Sequence, residues 1–438
     1  MSTTEPPLTL DQAAVKSLGL GDQLVLWGNL GVSLLLPVTA TFLLAPGMAL
    51  GACLLAVVVG TVAGNLLLGL AAVPGAETGM PAMVLMRGLF GRRGSYAPTV
   101  VNLVQCVGWS TLEIVIIAET GDRVVGGGWR WAFVLVAGAV ATLMAIRPLA
   151  VVRVLKRYAV WVVLASTVYL FVQVLRKDLP GLTDGGWDGF WPAADLVAAL
   201  SVSWMPLAAD YSRQARDARS AFWGSSLGYA ASSGAFFTLG VLALAGLGLA
   251  PGFDVIDALI AIPAGGLALV ILVFDEIDEA FANIYSTAVS AQNLAPRVDR
   301  RLLAVGIGLL STVLALVVDI VAYEDFLFLI GSVFVPLFAV FIADYYVVQR
   351  RRWDVSGSAP DRLLLLVPWV VGFAGYQLVN PGTVDWWAGW WLDRRDDLGF
   401  DPPSWLSASL VAFVLAGLLT LLVSRPRPVP RATSTDPA

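Results

Sequence analysis

Long apolar blocks divide this chain and constrain its fold more than any other feature of the sequence. A membrane-spanning helix needs about 20 mostly apolar residues, and several blocks reach that length, among them the regions around 132–146 and 405–423. Only 13% of the 438 residues are charged, whereas soluble proteins carry about 25%. A transmembrane β-barrel would instead show alternating segments of about ten residues. The sequence therefore predicts an all-α polytopic membrane protein.

Several residue types that carry common chemistries are absent or rare. The sequence contains no histidine, and its two cysteines, Cys53 and Cys106, lie in apolar segments without a metal-binding pattern. No nucleophile or cofactor motif is visible, so we expect a protein that is not an enzyme and needs no cofactor beyond a coupling ion. The sequence pI near 4.9 and the lack of a basic tail argue against nucleic acid as a partner.

The distribution of positive charge predicts the topology. Breaks in hydrophobicity indicate about twelve spans, which place both termini on one side. If that side is the cytoplasm, most of the 27 lysines and arginines fall in cytoplasmic loops and tails, as the positive-inside rule requires. Tryptophans near the outer span ends indicate interfacial anchors. We expect a monomer that crosses the cell (inner) membrane many times, with the lipid bilayer as its surroundings and both termini cytoplasmic.

The stretch 259–294 is too long for one ordinary span and carries the acidic sequence DEIDE at 275–279. Two spans joined by an acidic loop are the alternative. However, residues 283–293 are too polar to face lipid, and a second crossing would invert the charge pattern of every later loop. We therefore predict one span whose acidic centre faces the protein interior.

The first and sixth segments share an unusual feature, which is a proline near mid-membrane with small polar neighbours. Pro37 lies near Ser33 in segment one, and Pro206 follows Ser203 and Trp204 in segment six. Proline removes a backbone N–H and clashes with the preceding turn. Kinks for packing would explain either proline alone, but paired interruptions five spans apart are typical of transporters with inverted repeats.

Four stretches resemble the nucleobase:cation symporter-1 family of purine, cytosine, hydantoin and related permeases. The most specific is TGMPAMVLMRGLFGRRG at 78–94, and the others are PLAADYSRQARD (206–217), ANIYSTAVSAQNLAP (282–296) and IGSVFVPLFAVFIADYYVV (330–348). The resemblance covers roughly residues 15 to 350. Within the family, LLAPG at 43–47 resembles the branch assigned to hydroxymethylpyrimidine transport.

The resemblance implies a leucine-transporter-type fold, with a five-plus-five inverted repeat and two C-terminal helices. The implied organisation is a cytoplasmic tail (1–20), a first five-helix repeat (21–176), a second inverted repeat (190–350), two extra transmembrane helices (363–424) and a cytoplasmic tail (425–438).

A polar stripe runs along segment three. Asn102, Gln105, Trp109 and Glu113 are spaced at i, i+3, i+7 and i+11, so they lie on one helical face. An uncompensated charge at the membrane centre costs at least about 2.5 kcal/mol. The stripe should therefore face a cavity or a partner helix.

By resemblance, Trp109 matches the family tryptophan that stacks on a planar substrate, and Glu113 matches a position that holds glutamine in the hydantoin-transporting branch. A carboxylate accepts hydrogen bonds from an exocyclic amine or a ring N–H. Glu113 therefore favours donor-rich bases such as cytosine, adenine or an aminopyrimidine over hydantoin. Core packing for Trp109 and a structural interhelical hydrogen bond for Glu113 are the alternative roles.

Segment eight carries four neighbouring carboxyl groups, Asp275, Glu276, Asp278 and Glu279. Like charges this close in a low-dielectric interior should not all ionise together. A proton-coupled carrier could use that arrangement, and an acidic vestibule that only attracts cations is the alternative.

By resemblance, Asn283 matches the family asparagine that hydrogen-bonds the substrate. The same alignment puts Ile277 and Asp278 where the sodium-dependent branch has two hydroxyl residues that bind Na⁺, which puts Na⁺ coupling in doubt. If Na⁺ is the coupling ion, we expect it at Asp278 with backbone carbonyls near Val32 and Leu35.

The remaining candidates border the interruptions or the cytoplasmic side. We assign Ser33, Ser203, Trp204, Gln105 and Glu279 to the substrate site, with Trp204 or a neighbour as a second aromatic wall. The polar residues after segment six should form a salt-bridge cluster or an inner gate: Asp210, Arg213 and Arg216. The Gly60–Gly64 pair most simply serves helix packing.

These features predict a secondary active transporter that imports a nucleobase or a related planar N-heterocycle, coupled to H⁺ or Na⁺ by alternating access. The alternatives are a hydroxymethylpyrimidine transporter and a hydantoin or allantoin transporter. An amino-acid symporter of the same fold is less favoured, because it would need free backbone N–H groups for a carboxylate. The residues slightly favour H⁺ over Na⁺.

Overall fold

The computed structural model describes residues 8–10, 15–147, 160–249, 252, 254–318, 323–403 and 405–427. Most of the expected N-terminal tail, the part of the first repeat at 148–159 and the C-terminal tail after 427 lie outside these ranges. Within them the chain is mostly helical, with two isolated β-bridges, Leu18 to Ala215 and Met48 to Gly186, and no strand. The predicted all-α class is confirmed.

The helices succeed one another with short connections. In chain order they are α1 (Leu20–Leu30), α2 (Leu35–Ala40), α3 (Leu50–Thr78), α4 (Ala82–Gly94), α5 (Tyr96–Val125), α6 (Arg130–Ile146), α7 (Val160–Val174), α8 (Phe190–Ser203), α9 (Met205–Ser212), α10 (Ala218–Leu247), α11 (Asp254–Ala261), α12 (Gly265–Ala291), α13 (Arg300–Val317), α14 (Tyr323–Ile342), α15 (Leu366–Val379), α16 (Asp385–Asp397) and α17 (Ala408–Val423). A π-helical turn, Ala343–Val348, extends α14.

Among the described residues, 6 helical stretches are long and apolar enough to cross a membrane. They are Leu50–Thr78, Tyr96–Val125, Phe190–Ser212, Ala218–Leu247, Arg300–Val317 and Phe326–Val348. Shorter apolar helices are Arg130–Ile146, Trp161–Val174, Leu363–Val379 and Ala408–Val423. Their length and composition are those of an integral membrane protein.

Both segments with a mid-membrane proline are interrupted, as predicted. The first segment leaves helical geometry after Leu30 and resumes at Leu35, with Pro37 inside α2. The sixth breaks at Trp204, between α8 and α9, and Pro206 lies in the first turn of α9. Proline is tolerated in a first turn because the N–H it lacks has no helical partner there.

The acidic sequence 275–279 lies inside one continuous helix, α12, so the prediction of a single helix there is confirmed. The helix begins later than predicted, at Gly265. Leu259–Ala261 belong instead to the short helix α11, and Pro263 and Ala264, with φ of 55° at Ala264, separate the two. Pro263 has no backbone N–H to donate to a helical hydrogen bond, so the helix is interrupted at this point.

Two helices lie where the sequence predicted only connections. The tract between segments two and three folds into α4, which turns sharply at Gly91, where φ is 82°. A Cβ atom at Gly91 would lie 2.3 Å from Cα of Asp361, so only glycine fits. The polar and tryptophan-rich stretch Asp385–Asp397 forms α16.

Two groups of helices form the body of the protein. The first group contains α1, α2, α3, α8, α9 and α10, and the second contains α5, α6, α12 and α13. Small residues bring their backbones together: a Cβ atom at Gly60 would lie 2.5 Å from the carbonyl oxygen of Ala194, and one at Gly308 would lie 1.9 Å from Oγ1 of Thr142. Gly60 and Gly64 thus serve helix packing.

The last helices pack against this body through α14. Helices α15 and α17 pack on α14 and on each other. In the π-helical turn after α14, Asp344 forms a buried ion pair with Arg362, with N–O distances of 2.6 and 2.8 Å. Asp344 also accepts hydrogen bonds from Trp353 (2.7 Å) and Ser424 (2.5 Å). This network fastens the start of α15 and the end of α17 to the π-helical turn that extends α14.

Candidate substrate and cation site

A small cavity of about 20 Å³ lies between the two helix groups, next to both helix interruptions. We call it the central cavity. Its walls are Ser33, Leu35, Leu36, Trp109, Glu113, Leu200, Ser203, Trp204, Tyr229, Glu279 and Asn283. Each of these residues is buried. A cavity of this size has room for about one water molecule, which is less than a heterocyclic ring would occupy.

The first helix group supplies the wall around the two interruptions. Ser33 lies in the break between α1 and α2, and Ser203 ends α8 beside Trp204. Trp204 packs against Tyr229 with ring centroids 5.8 Å apart, and against Trp27 at 6.0 Å. An aromatic wall of this kind presents flat apolar surface to a planar ligand.

The second helix group supplies the opposite wall and all the carboxyl groups. Trp109 and Glu113 project from α5, and Glu279 and Asn283 project from α12. The Trp109 ring meets Phe326 edge to face, with centroids 5.3 Å apart. The two walls thus place two indole rings and two carboxyl groups around the same space.

Three carboxyl groups converge beside the central cavity. One carboxylate oxygen from each of Glu113, Glu276 and Glu279 lies within 4.8 Å of the other two. Glu276 is held in place by the first helix group: it accepts a hydrogen bond from the Ser33 hydroxyl and another from the Leu34 N–H, both at 2.7 Å. The side chain of Glu276 therefore joins α12 to the break in the first segment.

Asp278 lies on a neighbouring face of α12. Its side chain contacts the first segment at Asn29, about one turn before the break. Its Oδ2 accepts a hydrogen bond from the side-chain amide of Asn29. The backbone N–H groups of Val32 and Leu35 bond within their own segment, to the Asn29 carbonyl at 3.0 Å and to the Ser33 hydroxyl at 3.1 Å. Asp275 is also buried on this side of α12.

No lysine or arginine among the described residues forms an ion pair with these five carboxyl groups. Glu113 Oε2, Glu279 Oε1 and Asp278 Oδ1 are buried, and no hydrogen-bond donor of the described residues reaches them. A buried carboxylate without a partner is strongly unfavourable. Protonation or a bound cation would offset this cost.

The structure brings together seven of the eight residues assigned to the substrate site. Gln105 is the exception, since it does not line the central cavity. Its side-chain amide donates instead to the Ser203 carbonyl at 2.9 Å and to Asn102 at 3.2 Å, and so ties α5 to the break in segment six. Tyr229 also lines the cavity. It was not predicted, since it lies in a run of small residues that shows no polar stripe and no interruption.

Of the two roles predicted for the polar residues after segment six, the salt-bridge cluster is wrong, and the inner gate stays a prediction. In the described part of the chain no ion pair joins Asp210 to either arginine, and Asp210 lies inside α9 rather than in a loop. Each residue fastens a different neighbour: Asp210 accepts from the Ala82 N–H (2.9 Å), Arg213 donates to the Tyr285 hydroxyl (3.1 Å), and Arg216 donates to the Ser17 carbonyl (3.0 Å).

Comparison with known proteins identifies the family. A family model described as a permease for cytosine/purines, uracil, thiamine and allantoin matches residues 18–358. The chain belongs to this permease family. It is therefore a transporter and not an enzyme.

Two relatives of this permease span most of its length. The YxlA protein of Bacillus subtilis (strain 168), named as a candidate purine-cytosine permease, is 24% identical over 360 residues, which cover 76% of this chain and 77% of the relative. The cytosine permease of Escherichia coli (strain K12) is 27% identical over 384 residues, which cover 83% of this chain and 82% of the relative.

The fold of the permease is also that of a solved transporter. The structure of Mhp1, a nucleobase-cation-symport-1 family transporter, in a closed conformation with bromovinylhydantoin bound, superposes with a TM-score of 0.75 at 16% identity, covering 96% of this chain and 94% of Mhp1. The inward-facing conformation of Mhp1 gives a TM-score of 0.73. Both values establish the architecture of the chain.

Proposed function

We propose that this permease imports a neutral, planar nucleobase of the cytosine or purine type, or a related N-heterocycle. The observation that carries the proposal is the central cavity, where Trp109 and Trp204 offer aromatic surface beside the carboxyl groups of Glu113 and Glu279. Base stacking on an aromatic side chain contributes about 1–3 kcal/mol per base. The relatives named for cytosine and purines point to the same substrate class.

The unpartnered oxygen of Glu113 supports a substrate that is rich in hydrogen-bond donors. A carboxylate only accepts hydrogen bonds, and an exocyclic amine or ring N–H would satisfy it. This favours cytosine, adenine or the aminopyrimidine ring of hydroxymethylpyrimidine over hydantoin or allantoin. An amino-acid substrate is disfavoured because Glu276 already accepts the Leu34 N–H in the broken first segment.

We propose further that the uptake is coupled to a cation that compensates the buried carboxyl groups, and that this cation is H⁺. Asp278, Asp275 and Glu276 would carry the coupling. Na⁺ held by Asp278 with the carbonyls of Val32 and Leu35 is the alternative. The donors on Asp278 and Glu276 both come from the broken first segment, so a change in their protonation would act directly on that segment.

The arrangement in the membrane that fits this function has about twelve spans, with both termini cytoplasmic in the inner membrane. Residues 21–176 and 190–350 would form the two inverted repeats. The monomer would be the working unit. Alternating access would move the first helix group against the second, because the central cavity lies between them.

Uptake of radiolabelled bases into proteoliposomes tests this function, with pH and Na⁺ gradients varied separately. We expect saturable uptake of cytosine or a purine, driven by an inward pH gradient in the absence of Na⁺. Uptake of hydantoin or an amino acid in preference to every base would overturn the substrate proposal. Protein-free liposomes of the same lipid composition provide the control for leak.

A further inference from the structure

A second and larger cavity lies between α4, the loop at 349–362 and the chain after α17. Its volume is about 610 Å³. Four arginines line it, namely Arg87, Arg352, Arg362 and Arg427, and Asp354 is the single acidic residue among its lining residues. We call it the arginine cavity. The positive-inside rule places it on the cytoplasmic side of the membrane.

The positive charge of the arginine cavity is only partly compensated. Asp344 pairs with Arg362 through two hydrogen bonds. Within the described residues, Arg87, Arg352 and Arg427 form no ion pair with a carboxylate. Asp354 is engaged by the backbone N–H of Ser356, at 3.0 Å. The cavity therefore gathers more guanidinium groups than the protein neutralises.

The surroundings of two arginines act against their positive charge. Burial lowers the pKa of Arg87, and the charge of Arg92 lowers it further. Partial burial lowers the pKa of the exposed Arg427, followed by the charge of Arg362, while Asp344 and Asp354 act in the opposite direction. An anion placed among these groups would offset the burial and the repulsion together.

Two of the arginines, Arg87 and Arg427, are held in position by neutral groups. Arg87 donates through Nε to the side chain of Asn293 at 2.7 Å. The backbone N–H of Arg427 donates to Oε1 of Gln349 at 3.1 Å, and its guanidinium reaches the Pro360 carbonyl at 3.3 Å. Acceptors of this kind orient a guanidinium but leave its charge in place. The guanidinium groups of Arg87 and Arg427 are thus oriented before any anion arrives.

The lining also supplies hydroxyl donors. Ser356 and Ser358 line the cavity, and their hydroxyl groups lie 3.0 Å apart. Guanidinium and hydroxyl groups are the donors that bind phosphate oxygens in proteins, and the planar fork of arginine matches two of those oxygens at once.

Exposed apolar residues adjoin the arginine cavity in the chain. Arg362 is followed directly by Leu363 and Leu364, which are 53% and 61% exposed, and Leu422 on α17 is 79% exposed. These leucines belong to apolar helices of the membrane domain. A phosphate group in the cavity could therefore carry acyl chains that lie along them. Basic pockets between helices on the cytoplasmic side commonly take anionic lipid headgroups.

We propose that the arginine cavity binds a phosphate group of a negatively charged molecule, supplied either by an anionic phospholipid or by a free phosphorylated solute. The site is separate from the central cavity and would act by joining α4, the loop at 349–362 and the chain after α17. Its occupant would stabilise the attachment of the last two helices to the transporter body.

Thermal unfolding of the full chain, purified in neutral detergent with bound lipid removed, tests the proposal. The probes are short-chain phosphatidylglycerol, the matched phosphatidylcholine, and inorganic phosphate. We expect phosphatidylglycerol to raise the melting temperature in a saturable way and phosphatidylcholine, which is neutral overall, to have no such effect. A saturable rise with inorganic phosphate but not with phosphatidylglycerol would instead identify a free phosphorylated solute as the source.

The double variant Arg352→Gln/Arg427→Gln removes two arginines that lack carboxylate partners. We expect it to raise the half-saturating concentration of the effective probe at least tenfold. Arg297→Gln, an exposed arginine elsewhere, should leave that concentration unchanged. Arg352→Lys/Arg427→Lys keeps the charge and should lose less than the glutamine variant, which guards against misfolding as the cause. The proposal is overturned if no probe gives a saturable rise, or if Arg297→Gln weakens binding as much as the double variant.

Discussion

The backbone N–H of Leu34 donates to Oε2 of Glu276 at 2.7 Å, across 242 residues of sequence. The bond joins the break in the first segment to the centre of α12. A transporter that binds a substrate carboxylate at a helix break needs such N–H groups free. Here the protein supplies the carboxylate itself, and this feature of the site favours a neutral substrate.

Replacement of Glu276 tests the structural part of this bond. Glu276→Ala leaves the Leu34 N–H and the Ser33 hydroxyl without their acceptor, which should cost about 1–3 kcal/mol. Glu276→Gln keeps one accepting oxygen. We therefore expect the melting temperature to be highest for the wild type, lower for Glu276→Gln and lowest for Glu276→Ala. The measurement is thermal unfolding of the purified protein in detergent. A higher melting temperature for Glu276→Ala would show that repulsion from Glu113 and Glu279 outweighs the two bonds.

Trp109 should contribute directly to affinity. Trp109→Ala removes the indole face and should weaken the binding of the transported base by about 1–3 kcal/mol, while Trp109→Phe should restore part of the loss. The measurement is the half-saturating concentration for uptake. Unchanged affinity in Trp109→Ala would leave the residue a packing role against Phe326.

Glu113 should determine which bases are accepted. Because a carboxylate only accepts hydrogen bonds while an amide also donates them, Glu113→Gln should shift the preference away from donor-rich bases and toward substrates such as hydantoin. Competition of unlabelled bases against the labelled one measures the profile. The amount of protein in the membrane serves as the control. An identical profile at normal expression would reduce Glu113 to a structural residue.

Asp278 should carry the coupling. An imposed pH gradient should drive uptake into Na⁺-free proteoliposomes, and Asp278→Asn should abolish that response, because an amide cannot exchange the proton that a carboxyl group does. Asp257→Asn, an exposed carboxyl group on α11, is the matched control and should keep the response. Strict dependence on Na⁺ with no effect of the pH gradient would contradict proton coupling and leave Asp278 as a Na⁺ ligand.

Close packing by glycine should be sensitive to a single methyl group. In Gly60→Ala the added Cβ would lie 2.5 Å from the Ala194 carbonyl oxygen and 2.7 Å from Cβ of Val197, so α3 and α8 must move apart. We expect a lower melting temperature, by the equivalent of about 1–3 kcal/mol. Gly306→Ala, where a Cβ atom meets nothing within 4 Å, should leave it unchanged or raise it slightly. Equal melting temperatures for the two variants would argue against this packing role.

Helical periodicity explains which parts of the site the sequence could predict. The spacing of Trp109 and Glu113 places both on one face of α5, and the acidic run in α12 could remain in a membrane protein only by facing inward. The prolines marked both interruptions. These inferences rest on local patterns that a single helix displays.

Other features depend on partners that no local pattern specifies. The long side chain of Gln105 begins on the same stripe as Trp109 but bends to the Ser203 carbonyl. The bond between Glu276 and Leu34 requires the packed structure, because it joins distant segments. Tyr229 reaches the cavity because α10 packs closely on α1, where a Cβ atom at Gly228 would lie 2.7 Å from the Leu24 carbonyl oxygen.

The ion pair between Asp344 and Arg362 limits how the chain can be shortened for study. Ending the protein after the π-helical turn that follows α14 would remove Arg362 and Ser424. The fully buried Asp344 carboxylate would then lack its main partners. Removing one member of a buried pair costs about 3–5 kcal/mol. A version of this transporter without α15 to α17 would therefore need an apolar residue at 344 before it could be expected to fold.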